Sequence, residues 1–81
     1  MSESLPAVRR CMQTVLRLSD EDAARIGPDT TPLQIPHWNS LAHVQLILEL
    51  ERAVGVTFHA DEIASLASVG AIVAALERSR T

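Results

Sequence analysis

The chain has 81 residues, 47% of them hydrophobic, and a formal net charge of −3, which excludes intrinsic disorder and leaves room for one small core. Only Trp38 and Phe58 are aromatic, so the core must be aliphatic; Leu, Val, Ile and Ala without long β-branched runs favour helices. All seven basic residues are arginine and the acidic excess disfavours nucleic acid, while the lone Cys11 forbids an intrachain disulfide and suits a reducing compartment.

Residues 1–81 are expected to form a single domain, with its core in about 5–78. The opening Met1-Ser2-Glu3-Ser4 lacks the basic n-region and apolar run of a signal peptide. No apolar stretch approaches the roughly 20 residues of a membrane span. A soluble, cytoplasmic monomer is the expectation.

The first helix is predicted over about Leu5 to Leu18, with Leu5, Val8, Met12, Val15 and Leu16 at helical spacing and Arg9, Arg10, Gln13 and Arg17 off that stripe. Pro6 falls in its first turn, where a missing N–H is no loss. Ser19 offers a cap for a short turn over Asp20 to Ile26, which Gly27-Pro28 stops. Pro28, Pro32 and Pro36 then rule out a long helix, and Thr31-Pro32-Leu33-Gln34 has the pattern of a capping box on a single turn. Leu33, Ile35 and Trp38 are expected to anchor this loop against the bundle.

The strongest helix is predicted from Ser40 to Val54, ending at Gly55. Leu46, Ile47, Leu50 and Val54 form its core face, and Leu41, Val44 and Leu48 form a second, adjoining stripe. That stripe is either further core or an exposed contact surface. Val56-Thr57-Phe58 is a short extended link pinned by Phe58, and Asp61 and Glu62 favour the start of a short helix. A last helix follows a Ser68 cap, with Val69, Ile72, Val73 and Leu76 inward. The fold class is therefore all-α: three main helices plus one short helix, with a long loop between the first two main helices.

Ser40 has two readings. As an N-cap, its oxygen accepts a backbone N–H. As a nucleophilic hydroxyl, it awaits a phosphate-linked group, which the positive end of a helix would favour. Helix physics alone leaves both open. His43, one turn on, could pair with Ser40, but no orienting third group and no Gly-x-Ser-x-Gly elbow accompany it, so an enzyme is not expected. His37, His43 and His59 lack a matching cysteine or carboxylate pattern, and no metal site is expected. A helix-turn-helix reading fails for want of a basic recognition helix.

Trp38-Asn39-Ser40-Leu41-Ala42-His43-Val44, followed by Leu46-Ile47-Leu48-Glu49-Leu50-Glu51, resembles the acyl carrier protein family. The similarity continues through Gly55-Val56-Thr57-Phe58 and Asp61-Glu62-Ile63 to the Ser68-Val69 helix, covering about Leu5 to Leu76 in order. The resemblance implies an acyl-carrier-like bundle that carries acyl intermediates as thioesters on 4'-phosphopantetheine, attached covalently from coenzyme A to the serine of an Asp-Ser-Leu motif. Ser40 is the matching position, flanked by Trp38, Asn39, Leu41 and His43. Asn39 stands where the family has Asp; it can still cap the helix but removes a charge beside the modification site.

By the same resemblance, Leu41, Val44, Gln45, Leu48, Glu51, Arg52, Asp61 and Glu62 form the partner-binding surface. The implied partners are a magnesium-dependent phosphopantetheinyl transferase and the acyl-loading, condensing or tailoring enzymes of a pathway. Gln45 and Arg52 sit where fatty-acid carriers are often acidic, which points to a dedicated polyketide, fatty-acid-like or other secondary-metabolite pathway. The alternatives are a peptidyl or aminoacyl carrier, and a helical interaction module that docks through Leu41, Val44 and Leu48 without a prosthetic group.

Overall fold

Helix α1 (Ser4–Leu16) buries Val8, Met12 and Leu16 of the expected stripe together with Ala7 and Cys11, while Leu5 and Val15 are partly buried against the core. The structure, a computed structural model, describes residues 4–35 and 37–80; Met1, Ser2, Glu3, Pro36 and Thr81 lie outside the described residues. The helix stops at Leu16, short of the expected Leu18. Arg17 takes a left-handed conformation (φ 56°), and the Leu18 N–H returns to the Gln13 carbonyl at 3.1 Å. That closure is the one glycine usually makes at a helix end, so an arginine there is mildly strained.

Helix α2 (Asp20–Ala24) begins as its sequence indicates, with Ser19 Oγ accepting the Asp22 N–H at 3.1 Å and three acids in the first turn. The chain is then stapled to the bundle. Thr30 Oγ1 accepts the Gly27 N–H at 2.9 Å, and Arg9 Nε donates to the Ile26 carbonyl at 2.9 Å. A 3-10 turn (Pro32–Gln34) follows, with the Thr31 N–H donating to Gln34 Oε1 at 3.1 Å.

One expected anchor is wrong. Leu33 is 98% exposed, whereas Ile35 packs against the core and Trp38 is buried. With about three residues per turn, Pro32 and Ile35 share the inward side of the 3-10 turn, and Leu33 is carried outward.

Helix α3 (Ser40–Val54) buries Ala42, Leu46, Ile47 and Leu50, with Val54 packed at the core's edge. Gly55 ends it at φ 81°, donating its N–H to the Glu51 carbonyl at 2.9 Å. The second stripe is not core: Leu41, Val44 and Leu48 are 68%, 44% and 57% exposed. Residues Ala7 and Cys11 of α1 face Ala53 and Val54, while Val15 and Leu16 face Leu41 and Ala42. Helices α1 and α3 therefore run antiparallel, and Ser40 lies at the end of the bundle where α1 finishes.

After α3, Phe58 is buried, and its N–H donates to Glu51 Oε2 at 2.7 Å. Helix α4 (Ala60–Ile63) is a single turn, so among the described residues the short helices α2 and α4 accompany the three main ones. Helix α5 (Val69–Arg80) closes the core with Val69, Ile72, Ala75 and Leu76, all fully buried, and Val73 packed beside them. Its first N–H groups are satisfied by three acceptors: Ser68 Oγ takes the Ala71 N–H at 3.1 Å, and the Thr30 and Pro28 carbonyls take those of Val69 and Gly70 at 2.9 Å. The loop after α2 is thus held as a cap on α5. Each fully buried Leu, Ile or Val contributes about 1.5–3 kcal/mol, and this layer of aliphatic side chains is what holds the three main helices together.

Candidate functional site

Asn39, not Ser40, caps α3. Asn39 is extended (φ −106°), its Oδ1 accepts the Ala42 N–H at 2.9 Å, and its carbonyl accepts the His43 N–H at 2.8 Å. The capping reading of Ser40 is corrected: Ser40 is the first residue of the helix proper. Its side chain is exposed, and among the described residues its hydroxyl takes part in no hydrogen bond. Asn is as good an N-cap as Ser, and it occupies the extended conformation a cap requires, so the duty falls one residue earlier.

Ser40 opens into a groove of about 580 Å³. Trp38, Asn39, His43 and Val44 form one wall, from the loop and α3. Ala60 and Ile63 of α4, with Ala64, Leu66 and Ala67 beyond it, form the other, and Pro32 borders it. The α4 wall went unnoticed in the sequence. Its signal was present in the small residues Ala60, Ala64 and Ala67, whose missing bulk makes the groove.

His43 ties these walls together. Trp38 Nε1–H donates to His43 Nδ1 at 3.1 Å, the two rings lying 5.9 Å apart with a 31° tilt. His43 Nε2 is 3.1 Å from the Ile63 carbonyl. Because Nδ1 accepts, the ring hydrogen sits on Nε2 and is donated to that carbonyl. Both nitrogens are therefore engaged away from Ser40, and His43 is not placed to act as its base.

A second cavity, of about 440 Å³, lies on the other flank of the α3 head, where Arg17 and His37 border Leu41 and Gln45. His37, like Arg17, has a left-handed backbone (φ 70°). Among the described residues no group of three or more His, Cys, Asp or Glu is arranged to hold a metal ion. His37, His43 and His59 occupy the second cavity, the groove wall and the N-cap of α4 respectively.

The residues assigned to a partner surface divide into two sets. Leu41, Val44, Gln45 and Leu48 are exposed along one side of α3, and Asp61 is exposed on α4. The remaining charged groups have internal bonds. Arg52 pairs with Glu49 at 2.8 Å, Glu51 holds the Phe58 N–H, and Glu62 accepts the His59 N–H at 3.3 Å and meets Arg78 at 3.5 Å.

A family model described as "Phosphopantetheine attachment site" matches residues 6–76, nearly the whole chain. The chain belongs to this family. It is a carrier protein, non-catalytic, whose attachment site implies 4'-phosphopantetheine. Carrier proteins of this kind are modified by a phosphopantetheinyl transferase and interact with the enzymes of their pathway. No curated protein matched the chain. No helix among the described residues of this carrier protein is long and apolar enough to cross a membrane.

Proposed function

We propose that Ser40 is the attachment point of the phosphopantetheine arm, and that the protein carries acyl intermediates as thioesters in a dedicated polyketide, fatty-acid-like or other secondary-metabolite pathway. The observation that carries this reading is the exposed Ser40 hydroxyl, left without a capping role by Asn39 at the head of a 15-residue helix. The residues there suit the group. A helix N-terminus has roughly half a positive charge and unpaired N–H donors, which favour a phosphodiester on Ser40 Oγ. When bound, the arm supplies a thiol that carries the acyl group, and its tether keeps the cargo at high effective concentration near successive active sites.

In this reading Trp38 and His43 flank the arm from the groove side, and Asn39 holds the head of α3 in place. Leu41, Val44 and Leu48 supply apolar docking area for the transferase and for the loading, condensing or tailoring enzymes. Gln45 and the paired Arg52 replace free acids there, which supports partners that match an apolar stripe rather than a uniformly acidic one. A monomeric single domain in a reducing cytoplasm fits the lone cysteine.

The test is a mass measurement. Incubation with coenzyme A, magnesium and a broad-specificity transferase raises the intact mass by one phosphopantetheine, and Ser40→Ala abolishes the gain. A wild-type chain that stays bare, or a Ser40→Ala chain that is still modified, refutes the assignment.

A further inference from the structure

We propose that His43 is a positioning residue for the groove beside Ser40. In its neutral form it latches the loop, α3 and α4 together, and protonation of the ring releases the Trp38 wall. The inference deepens the reading of Ser40 as the arm's attachment point, since the groove that the latch shapes contains Ser40 in its lining.

Hydrogen-bond polarity fixes the tautomer of His43. Indole Nε1–H is a donor only, so the 3.1 Å contact from Trp38 requires an unprotonated His43 Nδ1. A carbonyl is an acceptor only, so the 3.1 Å contact to Ile63 requires a hydrogen on Nε2. One tautomer of the neutral ring satisfies both. Adding a proton places N–H on both nitrogens: the Ile63 bond survives, and Nδ1–H then faces Trp38 Nε1–H, donor against donor. Trp38 is buried, so its indole cannot simply turn its N–H to water without moving the wall.

The surroundings focus this response on one group. Apart from His43, nothing lining the groove titrates. The charged or titratable groups on the neighbouring elements are Asp29 and His37 on the loop, and His59, Asp61 and Glu62 around α4. Glu62 is already held by the His59 N–H and Arg78. The wall that flanks the arm thus responds to the ring's proton.

The latch itself is tested in the unmodified protein. Nitrogen-15 spectra of the imidazoles at pH 8 should show His43 fixed as the Nε2–H tautomer, its signals assigned by their loss in His43→Gln. The Trp38 indole N–H signal and the fluorescence of this sole tryptophan should change on acidification to pH 5. They should not change in His43→Asn, whose side-chain oxygen can accept from Trp38 without gaining a proton. A His43 fixed as Nδ1–H, or a wild-type Trp38 signal that ignores pH between 8 and 5, overturns the proposal, and the second outcome is read on the wild-type chain alone.

A second arm uses the protein loaded with an octanoyl thioester. Chemical-shift changes at Trp38, Ile63 and Ala64 on loading should be present at pH 8 and diminished at pH 5; changes independent of pH would separate the groove from the latch. Failure to load at all would count against Ser40 as the attachment point, not against the tautomer and its proton response.

Discussion

Asn39 Oδ1 accepts the backbone N–H of Ala42 at 2.9 Å, and this bond frees the intervening Ser40 hydroxyl from any structural duty. Replacing Asn39 by Ala should therefore lower stability by about 1 kcal/mol, the usual worth of a cap, while Ser40→Ala should change it by no more than about 0.5 kcal/mol. Asn39→Asp keeps the acceptor and complements the helix dipole, so its stability should match or exceed wild type by about 0.3–1 kcal/mol. Urea unfolding of the unmodified proteins gives all three values. A loss of about 1 kcal/mol in Ser40→Ala would return the capping role to Ser40.

Glu51 was assigned to a docking surface by resemblance, yet its carboxylate accepts the Phe58 N–H at 2.7 Å in a partly buried setting. Hydrogen bonds to charged groups are worth about 1.5–3 kcal/mol. Glu51→Ala should accordingly lower the unfolding free energy, read from the urea midpoint, by about 1.5–3 kcal/mol, and Glu51→Gln, which keeps an acceptor, by less. An unchanged midpoint in Glu51→Ala would leave a docking role as the remaining explanation of the residue.

Cys11 sets the alkaline limit of stability. The chain has no tyrosine and all its basic residues are arginine, so Cys11 is the sole side chain that titrates between about pH 8 and 11. Burial pushes its thiol upward, and the Glu49 charge acts in the same direction, against a smaller opposing effect of Arg10 and Arg52. The folded state thus holds the thiol proton more tightly than the unfolded state does. Its stability is complete below the unfolded thiol's value of about 8.5 and falls as pH rises toward the folded value. The thermal midpoint of the unmodified protein should decline over this window in wild type and stay level in Cys11→Ala.

Gly70 and Gly27 should respond oppositely to alanine. A Cβ at Gly70 would lie 2.7 Å from the Pro28 carbonyl oxygen, the same atom that accepts the Gly70 N–H. The usual gain of about 1 kcal/mol for alanine in a helix is reversed there, and a loss of about 1–3 kcal/mol is expected. At Gly27 nothing lies within 4 Å of an added Cβ, so Gly27→Ala should gain about 0.4–1 kcal/mol by restricting the unfolded chain. Thermal melts of the two variants check both signs.

Much of the fold was legible in the residues. Apolar spacing marked the buried faces of α1, α3 and α5, and Ser19, Ser68 and Gly55 marked helix ends, because side-chain periodicity and capping are set within a few residues of chain. The order of residues around Ser40 also carried the family signature over positions 6–76. Contacts made across the chain were not legible. That Leu33 points outward, that Glu51 turns back to Phe58, and that Pro28 and Thr30 cap α5 depend on how the loop wraps over finished helices. The division of labour between Asn39 and Ser40 likewise depends on which residue adopts the extended backbone at the head of α3. The latch between Trp38, His43 and Ile63 needed all three elements in place, since the polarity of its two bonds follows from the positions of atoms as many as 20 residues apart. Local sequence determined the helices and the serine; only the packing of α4 against the head of α3 decided the groove beside it.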